Sequence, residues 1–71
     1  MALKIWALTR TGRKLARSTT NPDAPSYRVI AFLDGRSQAD SEQIAEFTGL
    51  STNEVFTILY KLKLRGIVVG G

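Results

Sequence analysis

Gly49 breaks the chain in the middle of "IAEFTGLSTNEV", residues 44–55. A run compatible with a helix reaches Thr48, and a fresh helix start appears at Ser51, with Glu54 three residues further on in the spacing of a capping box. Glycine reaches the left-handed conformation that lets a chain turn sharply, so one helix ends and another begins across a very short turn. Both helices have an apolar side. Ile44, Ala45 and Phe47 supply the inward residues of the first, and Leu50 can tuck into the core after the turn. In the second, Val55, Leu59 and Leu62 share one face at ~100° per residue, with Ile58 beside them.

The other elements are read around this pair. Residues 3–8 form a short strand, and Thr9 caps a basic helix over 10–18 that Gly12 weakens. Leu15 and Ala16 face the core from that helix. "TTNPDAPS" is dense in turn and capping residues and makes 19–25 a loop. "YRVIAFL" follows Pro25, a good first-turn residue, and runs into Asp34 and Gly35; start and stop favour a helix over 26–34, although the apolar run alone also fits a strand. Asp40 or Ser41 caps the helix 41–48, the capped helix after the turn covers 51–65 until Gly66 ends it, and 67–69 is a strand. The whole, 1–71, is one domain of α+β class, mainly helical, with three or four helices and a small antiparallel two-stranded sheet.

Composition removes several function classes. The chain has 71 residues, no cysteine and no histidine. There is no disulfide framework, and the usual triads and most transition-metal sites are gone. No apolar run approaches the ~20 residues of a membrane span, and the N-terminus lacks the apolar core of a secretory signal. A cytoplasmic location, with the protein on the nucleoid, is expected. The net charge of +4 points to an anionic partner. It is unevenly spread: residues 1–20 carry +5, residues 21–56 carry −4 and residues 57–71 carry +3. If the fold joins the ends, one face becomes positive.

Two helices around a tight turn containing Gly form a helix-turn-helix, whose second helix lies in the major groove of DNA. "SEQIAEFTGLSTNEVFTILYKLKLRGIV" resembles this motif in winged-helix transcription regulators, including small bacterial and archaeal repressors. The apolar-Ala pair, turn Gly, capped second helix and Leu-x-x-x-Gly of that family fall on Ile44, Ala45, Gly49, Ser51, Leu62 and Gly66. The likeness covers roughly residues 27–69. In the family the strand after the second helix turns through a wing into another strand, which often ends in Leu-Thr-x-x-Gly before a further helix. That pattern is found here at the N-terminus instead, in "WALTRTGRKLA", residues 6–16. The expectation is that the N-terminal strand pairs antiparallel with 67–69, so that both chain ends build the wing, as in a circular permutation.

The resemblance implies double-stranded DNA as the partner. Thr52, Asn53, Thr57, Tyr60 and Lys61 are the base-facing candidates; Asn suits adenine and Lys suits guanine. Lys4, Arg10, Arg13, Lys14, Arg17, Ser51, Lys63 and Arg65 are the phosphate candidates, with backbone N–H groups at the start of the second helix. Each also reads as a solvated surface residue, and Trp6 reads as core. Phe56, Tyr60 and Leu64 form a further apolar stripe at i, i+4, i+8. It either packs within the fold or serves self-association; regulators of this type bind paired half-sites as dimers, which makes a homodimer a reasonable partner. The alternative function is a winged-helix protein-protein or RNA interaction module using that stripe. A carrier ending in Gly70 and Gly71 is a third class, but the N-terminal half lacks the strands it needs. Glu42 and Glu46 sit one turn apart without a third metal ligand. No enzyme, no cofactor, no metal and no small-molecule ligand are expected.

Overall fold

In the computed structural model, which describes residues 5–18 and 23–70, the order of elements is β1 (Ile5–Leu8), α1 (Arg10–Ser18), α2 (Pro25–Asp34), β2 (Ala39–Asp40), α3 (Ser41–Thr48), α4 (Thr52–Leu64) and β3 (Val68–Gly70). The first residues expected in the N-terminal strand, the phosphate candidate Lys4 among them, lie outside the described residues, as do 19–22 of the loop and Gly71.

The chain ends do meet. β1 pairs antiparallel with β3, with Trp6 opposite Gly70, Ala7 opposite Val69 and Leu8 opposite Val68. The sheet has three strands rather than the expected two, in the order β2-β1-β3. The added strand β2 puts Ala39 opposite Trp6 and Asp40 opposite Ile5. Asp40 explains why it went unseen. As the N-cap of α3 it is extended, at φ −89° and ψ 169°, so one residue ends a strand and starts a helix. Two residues are also too few to show a strand's alternation. The longer strands do alternate: Trp6, Leu8 and Val68 point inward, while Ile5 and Val69 are exposed.

Trp6, Val29, Leu33, Ile44, Val55, Leu59 and Val68 fill the centre of the core. α2 contributes most, burying Val29, Ile30, Phe32 and Leu33; Pro25 opens it, and Ala24 makes no side-chain cap. Its end differs from expectation, because Gly35 stays right-handed at φ −81°. α3 carries a full capping box at Asp40: the Gln43 N–H donates to Asp40 Oδ1 at 2.8 Å, and the Asp40 N–H donates to Gln43 Oε1 at 3.2 Å. Phe47 is a correction. It is 67% exposed, and Ser41, Ile44, Ala45 and Thr48 form the buried arc instead. Thr48 tolerates burial because its hydroxyl donates to the Ile44 carbonyl at 2.7 Å.

Gly49 makes the turn, with φ 77° and its N–H donating to the Ala45 carbonyl at 2.9 Å. α4 then starts at Ser51, whose hydroxyl oxygen accepts from the Glu54 N–H at 3.2 Å and whose proton goes to Glu54 Oε1 at 3.1 Å. This is half of the expected capping box; Glu54 is bonded by the Ser51 side chain, not by its backbone N–H. α4 ends as a Schellman motif: Gly66 N–H donates to the Lys63 carbonyl at 3.0 Å and Ile67 N–H to the Leu62 carbonyl at 2.9 Å.

Thr9 fastens α1 to that end of α4. Its hydroxyl oxygen accepts from the Gly12 N–H at 3.1 Å, the geometry of an N-cap. The hydroxyl proton faces the Gly66 carbonyl at 2.6 Å, and the Thr9 N–H donates to the Ile67 carbonyl at 3.0 Å. Gly12 is buried here because a Cβ on it would stand 2.3 Å from the Ile67 carbonyl oxygen. The Leu-Thr-x-x-Gly pattern thus has a local physical purpose. It caps one helix, ties down the end of another and leaves room for their contact. Ala16 is buried on the same helix, whereas Leu15 is largely exposed. Among the described residues no helix is long and apolar enough to cross a membrane.

Candidate nucleic-acid interface

α4 has one face fully committed to the core through Val55, Leu59 and Leu62. Away from that face, Asn53, Thr57 and Lys61 succeed one another at i, i+4 spacing, all exposed, and Arg65 at the C-cap continues the line. Thr52, in the first turn, is also exposed. The Thr57 hydroxyl donates to the Asn53 carbonyl at 3.0 Å, so towards a base or phosphate it is an acceptor unless that bond breaks. Ser51 is limited in the same way by Glu54.

Two candidates on α4 turn towards the sheet. The Tyr60 ring meets Trp6 edge-on at 5.7 Å and lies nearly parallel to Phe56 at 6.4 Å. Lys63 Nζ donates to the Gly70 carbonyl at 3.0 Å and sits 5.9 Å over the Trp6 ring. Tyr60 and Lys63 therefore flank the paired chain ends instead of joining the line of Asn53. Of the apolar stripe, Phe56 is half-buried, Tyr60 rests on Trp6 and Leu64 alone stands clear at 88% exposure.

On α1, Arg10, Arg13, Lys14 and Arg17 fall at i, i+3, i+4, i+7 and are all exposed, opposite the buried Gly12 and Ala16. They make one positive stripe. The Thr9 contacts fix its start at the C-terminal end of α4. α4 has 13 residues, which at 1.5 Å each is about 20 Å of helix. The structure therefore brings the α1 cations near the end of α4 and leaves Thr52 and Asn53 at the other. At that N-terminal end stands an acid instead, Glu54 in the first turn of α4. None of the described cations is ion-paired with a carboxylate.

One feature was missed in the sequence. Lys61 and Arg65 line a groove with Pro25, Ser26, Ile58 and Leu62, at the start of α2. The N-cap of α2, Ala24, gives no side-chain bond to the open N–H groups of its first turn, whose partial charge also favours an anion. An N-cap without a polar side chain was the signal available in the sequence.

Comparison with protein-family models, with curated proteins and with solved structures yields no match.

Proposed function

We propose that this chain is a winged-helix module that binds double-stranded DNA, in the service of transcription regulation, with a wing built from both chain ends. Two arrangements support the fold reading. From α2 onward the elements run helix, strand, helix, helix, strand, and β1 then supplies the closing strand between β2 and β3. Joining the ends beside Trp6 and Gly70 would give the usual winged order, so the chain reads as a circular permutation of it.

The observation that carries the DNA reading is the line Asn53, Thr57, Lys61 and Arg65 opposite the fully buried side of α4. A helix held to the core by one face offers its other face to a groove about 12 Å wide. Asn53 can bond adenine twice, its amide NH2 donating and its amide oxygen accepting, and Thr57 accepts from a base amino group without giving up its own bond. Lys61 and Arg65 engage phosphate or guanine. The carboxylate of Glu54 weakens the start of α4 as a phosphate site, which moves the electrostatic weight to these two cations and the start of α2. The α1 stripe holds phosphates further along the duplex.

The test is fluorescence anisotropy with a labelled mixed-sequence duplex. Lys61→Ala combined with Arg65→Ala is expected to weaken binding about tenfold or more and to flatten its salt dependence. Asn53→Ala is expected to leave the salt dependence unchanged and to reduce discrimination between sequences. If Arg13→Ala with Lys14→Ala abolished binding while the α4 variants bound as wild type, α4 would not be the reading helix.

A further inference from the structure

We propose that the surface of α2 and α3 around Phe47 is a two-fold contact with a second copy of this chain. The inference is independent of the DNA reading. Phe47 is 67% exposed on the last turn of α3. A single exposed apolar residue is ordinary; its surroundings here are not. Its ring lies 4.6 Å from that of Phe32, over which the Arg36 guanidinium stands at 4.2 Å. On one side Phe47 borders a groove of ≈ 360 Å³ lined by Tyr27, Arg28, Ala31 and Thr48. On the other it borders Arg36 and Glu46, which share a groove without forming an ion pair.

The charges select the occupant. Arg28 on α2, Arg36 just beyond its end and Glu46 on α3 are exposed in the two grooves that Phe47 borders, and none of them is ion-paired with a described residue. Charges of both signs therefore stand beside Phe47 on a chain of net charge +4. Two copies repel by their net charge, and opposite charges brought together across a contact offset that repulsion. A two-fold axis makes residue i of one copy meet residue j of the other, and j meet i. Arg28 on α2 and Glu46 on α3 can then pair across the axis twice. Phe47 of each copy enters the Arg28 groove of the other, and Glu46, its neighbour in sequence, reaches Arg28.

Sedimentation equilibrium of the full chain over a wide concentration range tests this. Wild type is expected to show a monomer–dimer equilibrium. Phe47→Ser withdraws two rings from the contact and is expected to weaken dimerisation about a hundredfold. Its far-ultraviolet circular dichroism is expected to match wild type, because an exposed ring is lost. Arg28→Glu and Glu46→Arg provide a check that does not depend on Phe47. Each alone places like charges across the axis and is expected to be monomeric, whereas an equimolar mixture restores both opposite-charge pairs and dimerises. A monomeric wild type overturns the proposal. So does a Phe47→Ser variant that dimerises like wild type, or a mixture that associates no more tightly than its separate components.

Discussion

Thr9→Val isolates the joint between the chain ends and α4. Valine keeps the shape and branching of threonine and removes only the hydroxyl, so no cavity opens. Two interactions disappear. One is the N-cap bond from the Gly12 N–H at 3.1 Å, worth about 1 kcal/mol. The other is the hydroxyl's own donation, shared between the Gly66 carbonyl at 2.6 Å and the Ile67 carbonyl at 3.0 Å; because the Gly66 carbonyl is exposed and water can replace the partner, it is worth about 0.5–1 kcal/mol. The sum, about 1.5–2 kcal/mol, corresponds to a fall in Tm of roughly 6–16 °C for a domain of this size. Thermal unfolding followed by circular dichroism is the assay. Thr11→Val is the matched control. Thr11 is exposed on the same helix and makes no bond to another described residue, so its Tm is expected to stay close to wild type. A Thr9→Val protein melting with wild type, or a Thr11→Val protein losing as much, would refute the idea that this hydroxyl fastens α1 to α4.

Gly12→Ala is expected to be costlier still, by about 2 kcal/mol or more, because the new Cβ would stand 2.3 Å from backbone that cannot give way cheaply; urea denaturation measures it. Asp40→Ala removes the bond from the Gln43 N–H to the Asp40 carboxylate, keeps the backbone N–H that donates to Gln43, and is expected to cost about 1 kcal/mol, read from the same denaturation.

Much of this fold was legible wherever a residue's chemistry acts locally. Asp40, Gly49, Ser51 and Gly66 mark helix boundaries through bonds to their neighbours and Pro25 through its fixed φ, and such local chemistry can be read from the sequence. The meeting of β1 and β3 is a long-range event, and it was legible only because "LTRTG" resembles a known strand end. What failed was decided by tertiary geometry. A hydrophobic scan prefers Phe47 to Thr48 as a core residue. In the fold the buried arc of α3 centres on Ser41 and Thr48, the Thr48 hydroxyl being satisfied by the Ile44 carbonyl, and Phe47 falls about 110° away from it at 100° per residue. β2 is too short to show a pattern. Tyr60 looked like part of the exposed line of α4 because sequence spacing cannot tell which flank Trp6 occupies. The charge blocks said only that one face becomes positive if the basic ends meet. They did not show that α1 joins α4 at its C-terminal end, away from Asn53.

Binding of duplex DNA by α4 and the cations around its C-terminal half is the proposed function. The most direct measurement is the affinity of the wild-type chain for a labelled mixed-sequence duplex at about 50 and about 200 mM salt. With about six phosphate contacts, from Lys61, Arg65 and the α1 stripe, binding is expected to weaken about a thousandfold between the two conditions. Absence of binding at the lower salt, or an affinity that does not change with salt, would contradict the account.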